Sequence, residues 1–181
     1  GDVDYAQRLA NGMLQRAERE NSHRLAEAVN AFSCWLGLHT NQTSRILAWM
    51  ENAPDETVEF CTLNRYLYLV KIYGYIALGK HSDALVLLQR MLLYADYAHR
   101  TYIRLECRVL GAVILRRMGQ PWKESFIQTL KEIGEYHFVS ILSEKGAAVL
   151  PLLMEAKAMM SQSAPQLAEW FAQVMEETSH M

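Results

Sequence analysis

The chain has 181 residues, 51% of them apolar, and a net charge of −2. That is enough apolar material for a core, and too nearly neutral a balance to announce a nucleic-acid or membrane surface. Four prolines and nine glycines are too few for a turn-rich β-sandwich, and no run of about 18 apolar residues occurs to suggest a membrane span.

Cys34, Cys61 and Cys107 are odd in number, widely spaced and set in apolar stretches. This fits buried reduced thiols, and neither a disulfide framework nor a zinc site. No signal peptide opens the chain, and Gly1 stands without an initiator methionine. A cytoplasmic, soluble fragment of a larger protein is therefore expected, with residues 1–181 forming a single helical-repeat domain.

In chain order, Glu20-Asn21-Ser22 reads as a turn between helices. The stretch "LGLHTNQTSRILAWM" breaks at Thr40-Asn41, which predicts a first hairpin over roughly 22–51. Phe60, Leu63, Leu67, Val70, Gly74 and Ala77 then step by threes and fours, predicting one helix across 59–78. Gly74 and Gly79-Lys80 that follow have the spacing of a nucleotide-binding phosphate loop. The context fails: Tyr-Ile-Ala-Leu between the glycines is too bulky to wrap phosphate, and His81 stands where a magnesium-binding Ser or Thr is required. Gly79 reads better as the left-handed residue that ends a helix. Ser82 or Asp83 opens the next helix, whose face carries Ala84, Leu87, Leu88, Met91, Leu92 and Ala95. The second hairpin is thus 57–96.

"LRRMGQPWKESFIQTL" repeats the pattern, with Gly119 ending a helix that carries Ile103, Cys107, Leu110, Ile114 and Met118. Pro121 suits the first turn of the following helix, which presents Phe126, Leu130 and Ile133. This third hairpin spans 99–136. The last third, "YHFVSILSEKGAAVLPLLMEAKAMM", reads as a short element, then Gly146 and a helix. Ser163 and Pro165 open a final helix to about residue 177, giving a fourth pair at 147–177.

Small residues Ser44, Ala84 and Ser125 fall just inside the second helix of successive pairs, 40 and 41 residues apart. The expected fold is all-α, a tetratricopeptide-like superhelical array of antiparallel helix pairs with a repeat of about 40 residues. A closed bundle of the same helices is the alternative.

The segment "RYLYLVKIYGYIALGKHSDALVLLQRMLLYADYAHRTYIRLECRVLGAVILRRMGQPWKES" resembles the helical repeat region of the large ATP-dependent LuxR-type regulators, the maltose-activator family. Ala77-Leu78-Gly79, Ala84, Leu87-Leu88, Ala95 and Arg100 occupy that family's repeat positions. "EYHFVSILSEKGAAVLPLL" is similar to the segment that follows the third pair, with Ser143-Glu144-Lys145-Gly146 replacing an acidic turn. The likeness covers roughly residues 24–157. It implies a sensor segment that lies between a nucleotide-binding switch module and a DNA-reading helix-turn-helix, neither of which this chain contains.

Chemistry-bearing constellations are few. Glu20-x-x-His23 and Glu177-x-x-His180 match the carboxylate–histidine pair of di-iron bundles, but such a site needs four helices aimed into one core with two further bridging carboxylates, while His180 is the penultimate residue and Glu20 falls in a turn, so no metal is expected. No hydroxyl has histidine and carboxylate partners at a helical spacing, so catalysis is not expected, nor is a cofactor. Arg100, Arg104 and Arg108 form a basic stripe, with Glu106 on another face. The stripe is either a solvated, ion-paired surface or one wall of a concave groove for an acidic ligand or partner segment.

Tyr66 and Tyr73 share one face of their helix, and Tyr68 and Tyr75 another. One set packs between repeats while the other, taken as Tyr68 and Tyr75, is a candidate groove lining. Trp35, Trp49, Trp122 and Trp170 read as inter-helix packing, with Trp122 beside Pro121 the one placed for exposure. Arg116-Arg117 and Lys123 read as surface charges near a turn.

The expected function is a non-catalytic sensor and protein-interaction domain of a bacterial LuxR-type transcriptional regulator. A small-molecule effector or a regulatory protein would be its ligand, relayed to other modules of the same chain. Direct nucleic-acid or membrane contact by this segment is not expected, and self-association is compatible with it. The alternative is a general scaffold that binds a peptide or helix of a partner protein.

Overall fold

A computed structural model describes residues 2–56 and 60–180. Residues 57–59, with which the second expected hairpin begins, lie outside the described residues, as do residues 1 and 181. The described residues contain ten α-helices and no strand, so the protein is all-α. The helices are α1 (Val3–Arg19), α2 (His23–His39), α3 (Thr43–Met50), α4 (Arg65–Ala77) and α5 (His81–Tyr97), followed by α6 (Thr101–Arg117), α7 (Lys123–Glu135), α8 (Ser140–Ser143), α9 (Leu150–Ser163) and α10 (Ala168–Ser179). No helix among the described residues is long and apolar enough to cross a membrane.

Six helix ends are built alike. Asn21, Asn41, Gly79, His99, Gly119 and His137 all adopt left-handed φ values between +51° and +73°. In each case the next N–H reaches back five residues to a helix carbonyl, from Ser22 to Ala17 at 2.8 Å through Phe138 to Ile133 at 3.2 Å. This Schellman geometry satisfies carbonyls that a helix end otherwise leaves orphaned. Gly79 and Gly119 adopt it without a Cβ penalty; the two histidines adopt it despite one. The left-handed residues stand 20, 38, 20, 20 and 18 positions apart, so one interval is nearly doubled. That interval contains α3, which has 8 residues where α2 has 17.

The expected helix across 59–78 is shorter than its apolar stripe. Cys61 is extended, with φ −140° and ψ 166°, and its N–H donates to Asn64 Oδ1 at 2.9 Å. A 3-10 turn at Thr62–Asn64 follows, and α4 starts only at Arg65. Leu63 is accordingly 80% exposed, whereas Phe60 packs edge-to-face on Tyr68 at 5.4 Å.

Contacts divide the chain into two compact units, Gly1–Leu87 and Leu88–Met181. In the first, Asp2 Oδ1 caps α1 by accepting from the Tyr5 N–H at 2.8 Å. Helix α2 packs against α1, α3 and α4. Ala31, Cys34, Ile46 and Val70 form a small core there, with Trp35, Trp49 and Leu67 packed on it.

In the second unit, α6 packs on α7 and α8, α7 on α9, and α10 on α8 and α9. Its larger core includes Leu105, Phe126, Leu130, Ile141 and Leu153, together with Trp170. Trp122, placed for possible surface exposure by its turn, is only 8% exposed and packs edge-to-face on Phe126 at 5.7 Å. At Gly134 the helices come close: a Cβ there would stand 2.7 Å from Leu167 Cδ1 and 3.1 Å from Trp170 Cε3. Lys145 and Glu106 form a buried ion pair at 3.1 Å. That contact fixes the turn after α8 to α6.

Candidate functional site

The doubled interval between turns is where a cavity forms. Helix α3 stops at Met50; the Asn52 side-chain amide donates to Ala48 O at 3.2 Å, and Pro54 cannot continue a helix. The described residues 51–56 that follow form a loop. Where α3 stops, a cavity of about 770 Å³ opens, bounded by α2, α3, the 52–55 loop and the start of α4. Its volume falls within the range of small-molecule sites.

The loop that walls the cavity is tied to α4. Tyr68 OH donates to Asp55 O at 2.9 Å, and Lys71 Nζ donates to Pro54 O at 2.7 Å. Lys71 also pairs with Glu56 at 3.0 Å, and Tyr75 OH donates to the same carboxylate at 2.5 Å. Burial, then the hydrogen bond to Glu56, then the charges of Glu56 and Asp83 raise the Tyr75 phenol above its ordinary range. Three side chains spaced along one helix therefore hold three successive loop residues.

The lining mixes polar and apolar groups. On α2 it presents Glu27, Asn30, Ser33 and Cys34; on α3, Arg45 and Trp49. Glu27 is exposed and makes no hydrogen bond or ion pair among the described residues. Arg45 Nη1 donates instead to Gln7 Oε1 on α1. Burial pushes the Cys34 thiol up to about 11 and, together with Cys34's charge as the smaller cause, pushes Tyr66 up to about 12. Cys34 is therefore a protonated thiol at neutral pH, without nucleophilic character.

The residues singled out from the sequence fall into two places. Tyr68 lines the cavity and is 1% exposed; Tyr75 is half-buried and holds the adjoining loop through Glu56. The arginines lie in the second unit. Arg104 and Arg108 both bind Glu132 on α7, Arg108 at 2.9 Å, so one carboxylate bridges two arginines and offsets one of the three charges of that stripe. Arg100 occupies the N-cap of α6 and is exposed. Arg116 and Lys123 both meet Glu155, at 2.9 Å and 3.0 Å, and hold its carboxyl below the ordinary range, Lys123 contributing most.

Glu20 is taken up by Arg16 at 2.8 Å, and His180 is an exposed C-cap. Among the described residues no three His, Cys, Asp or Glu side chains gather as a metal site. Cys34 and Cys107 are buried and Cys61 half-buried, all three as free thiols.

Glu27, Arg45 and Asp55 went unnoticed in the sequence, and Trp49 was read only as packing. The available signal was the interval itself, with "ENAPDE" stopping a helix eight residues after it began.

Fold and site together define an all-helical protein whose first unit, in its described residues, holds a sizeable open cavity. No family model matches the chain, and no curated protein or solved structure matches it.

Proposed function

We propose that this chain is a non-catalytic sensor and protein-interaction domain of a bacterial LuxR-type transcriptional regulator. In this reading its helix pairs stack as a tetratricopeptide-like superhelical array. Support comes from the intervals of 18–20 residues that separate all but one pair of successive left-handed turns, and from the repeat positions around Ala77-Leu78-Gly79.

The observation that carries the reading is the cavity of about 770 Å³, walled by a loop that α4 holds through side chains. An occupant that touched both the helices and the loop would favour one arrangement of the unit. To switch the attached ATPase and DNA-binding modules, that preference must amount to a few kcal/mol.

A thermal-shift screen of small metabolites tests this reading, because a ligand at 100 times its Kd adds about 2.7 kcal/mol. A hit that Trp49→Leu abolishes supports it. A flat screen would count against it, as would a native coding sequence lacking nucleotide-binding and helix-turn-helix modules.

A second reading, a general scaffold for a partner's peptide or helix, is favoured by one separate feature. A groove of about 290 Å³ runs between α9 and α10, with Met160, Leu167, Phe171 and Met175 in its wall. Such an apolar, methionine-bearing surface suits an amphipathic helix.

A further inference from the structure

Resting on the effector-sensing reading, we propose that the cavity of the first unit takes a small organic cation, an ammonium or guanidinium group carried on an apolar body. The charge balance of the lining is the first reason. Glu27 and Asp55 are its carboxylates and Arg45 its one cation. Arg45 is engaged by Gln7 Oε1 on α1, while Glu27 has no hydrogen-bonding or ionic partner among the described residues. Lys71, the nearest cation of the adjoining loop contacts, is held by Pro54 O and Glu56 and is 7% exposed.

The consequence follows from desolvation. An occupant seated against Glu27 displaces water from its carboxylate. A neutral occupant leaves that charge less compensated, whereas a cation replaces the lost water with an opposite charge.

Trp49 is the second reason. It packs against the core of Ala31, Cys34, Ile46 and Val70 and also lines the cavity, so its indole is fixed by the fold rather than by a ligand. An indole and a carboxylate in the lining of one cavity are the two groups that attract an organic ammonium ion, the aromatic ring through its π-electrons and the carboxylate through its charge.

The hydrogen-bonding groups agree. The Asn52 amide nitrogen is spent on Ala48 O, which leaves its Oδ1 as an acceptor; Asn30 and Ser33 add further acceptors along α2. A head with N–H donors uses these acceptors and the carboxylate together, whereas a quaternary head uses the carboxylate and the indole alone.

The test is calorimetric titration of the full chain with choline, agmatine and spermidine. The neutral isostere of choline, 3,3-dimethylbutan-1-ol, serves as a control for shape. At least one cation binds, the isostere does not, and binding weakens as salt rises from about 50 to about 500 mM, where screening shortens to a few ångströms. Glu27→Gln, at an exposed position, weakens the cation by about tenfold without changing the fold, and Trp49→Leu does likewise.

Equal binding of the neutral isostere, or an unchanged Kd in Glu27→Gln, overturns the inference. If a neutral or anionic metabolite raises Tm in a Trp49-dependent manner while the cations do nothing, the cation inference falls and the sensor reading stands. If a lysine- or arginine-bearing peptide binds but no free cation does, the inference falls in favour of the scaffold reading. If neither small molecule nor peptide binds, both fall.

Discussion

Replacing Lys145 by methionine puts the packing of the second unit under a direct test. Its ammonium stands 3.1 Å from Glu106 Oε1, and the two side chains are 3% and 4% exposed. Methionine keeps most of the stem's volume but takes the ammonium away from a buried carboxylate. Removing one partner of such a pair costs about 3–5 kcal/mol, because the remaining ion keeps its desolvation penalty and loses that Coulomb attraction. In a chain of this length each kcal/mol moves Tm by about 2–4 °C, so a fall of about 6–20 °C is expected. Adding Glu106→Leu to Lys145→Met removes the buried carboxylate as well and returns much of the stability, since an apolar pair of similar volume often replaces a buried ion pair at little cost. Equilibrium urea unfolding followed by circular dichroism and by tryptophan fluorescence reads both variants. A loss under about 1 kcal/mol for Lys145→Met, or a double variant less stable than the single, would refute the argument.

Gly119→Ala isolates backbone strain, since a Cβ there meets nothing within 4 Å while φ is +67°. The expected loss is about 1–2 kcal/mol in urea unfolding, and His137→Gly, at φ +53°, should not lower stability. Ellman's reagent should label Cys61 first in the native protein, with Cys34 and Cys107 reacting only after unfolding. Because burial raises the Cys34 thiol from 9.0 to about 11, its contribution is complete below pH 9 and lost as pH climbs between those values. Cys34→Ala should therefore flatten the alkaline limb of the stability profile. The Tyr75 phenol is also raised, so its contribution persists below pH about 10 and fades above it. Tyr75→Phe should remove that fading and speed amide exchange of the 52–56 loop, and unchanged exchange would mean that the contact with Glu56 does not hold the loop.

The helices and their ends were legible because their causes act within about five residues. Apolar residues at three- and four-residue steps define a face. Left-handed turns at Gly79 and Gly119, and the breaks at Asn21 and Asn41, need only the local chain to form. His99 and His137 show the limit of that reading, since neither residue type advertises a left-handed turn, yet both close helices in the same way. The stripe running back to Phe60 misled for the opposite reason. Apolar period alone cannot see that Asn64 caps the chain at Cys61 and begins the helix later.

The site was legible only in fragments. Tyr68 and Tyr75 were singled out as a face, and they do share the task of holding residues 55 and 56. The arginine stripe was equally visible, but the ion pairs of Arg104 and Arg108 with Glu132 were not, because that carboxylate lies 28 and 24 residues away in sequence. What the amino-acid order determines by itself is an all-helical chain broken at Asn21, Asn41, Gly79 and Gly119, since periodicity and turn chemistry are short-range. Only the tertiary structure decides that the early stop of α3 leaves a cavity, that Glu27 faces it without a partner, and that Lys145 finds Glu106 across 39 residues. Those outcomes depend on which distant surfaces exclude water from one another, and no local pattern encodes that.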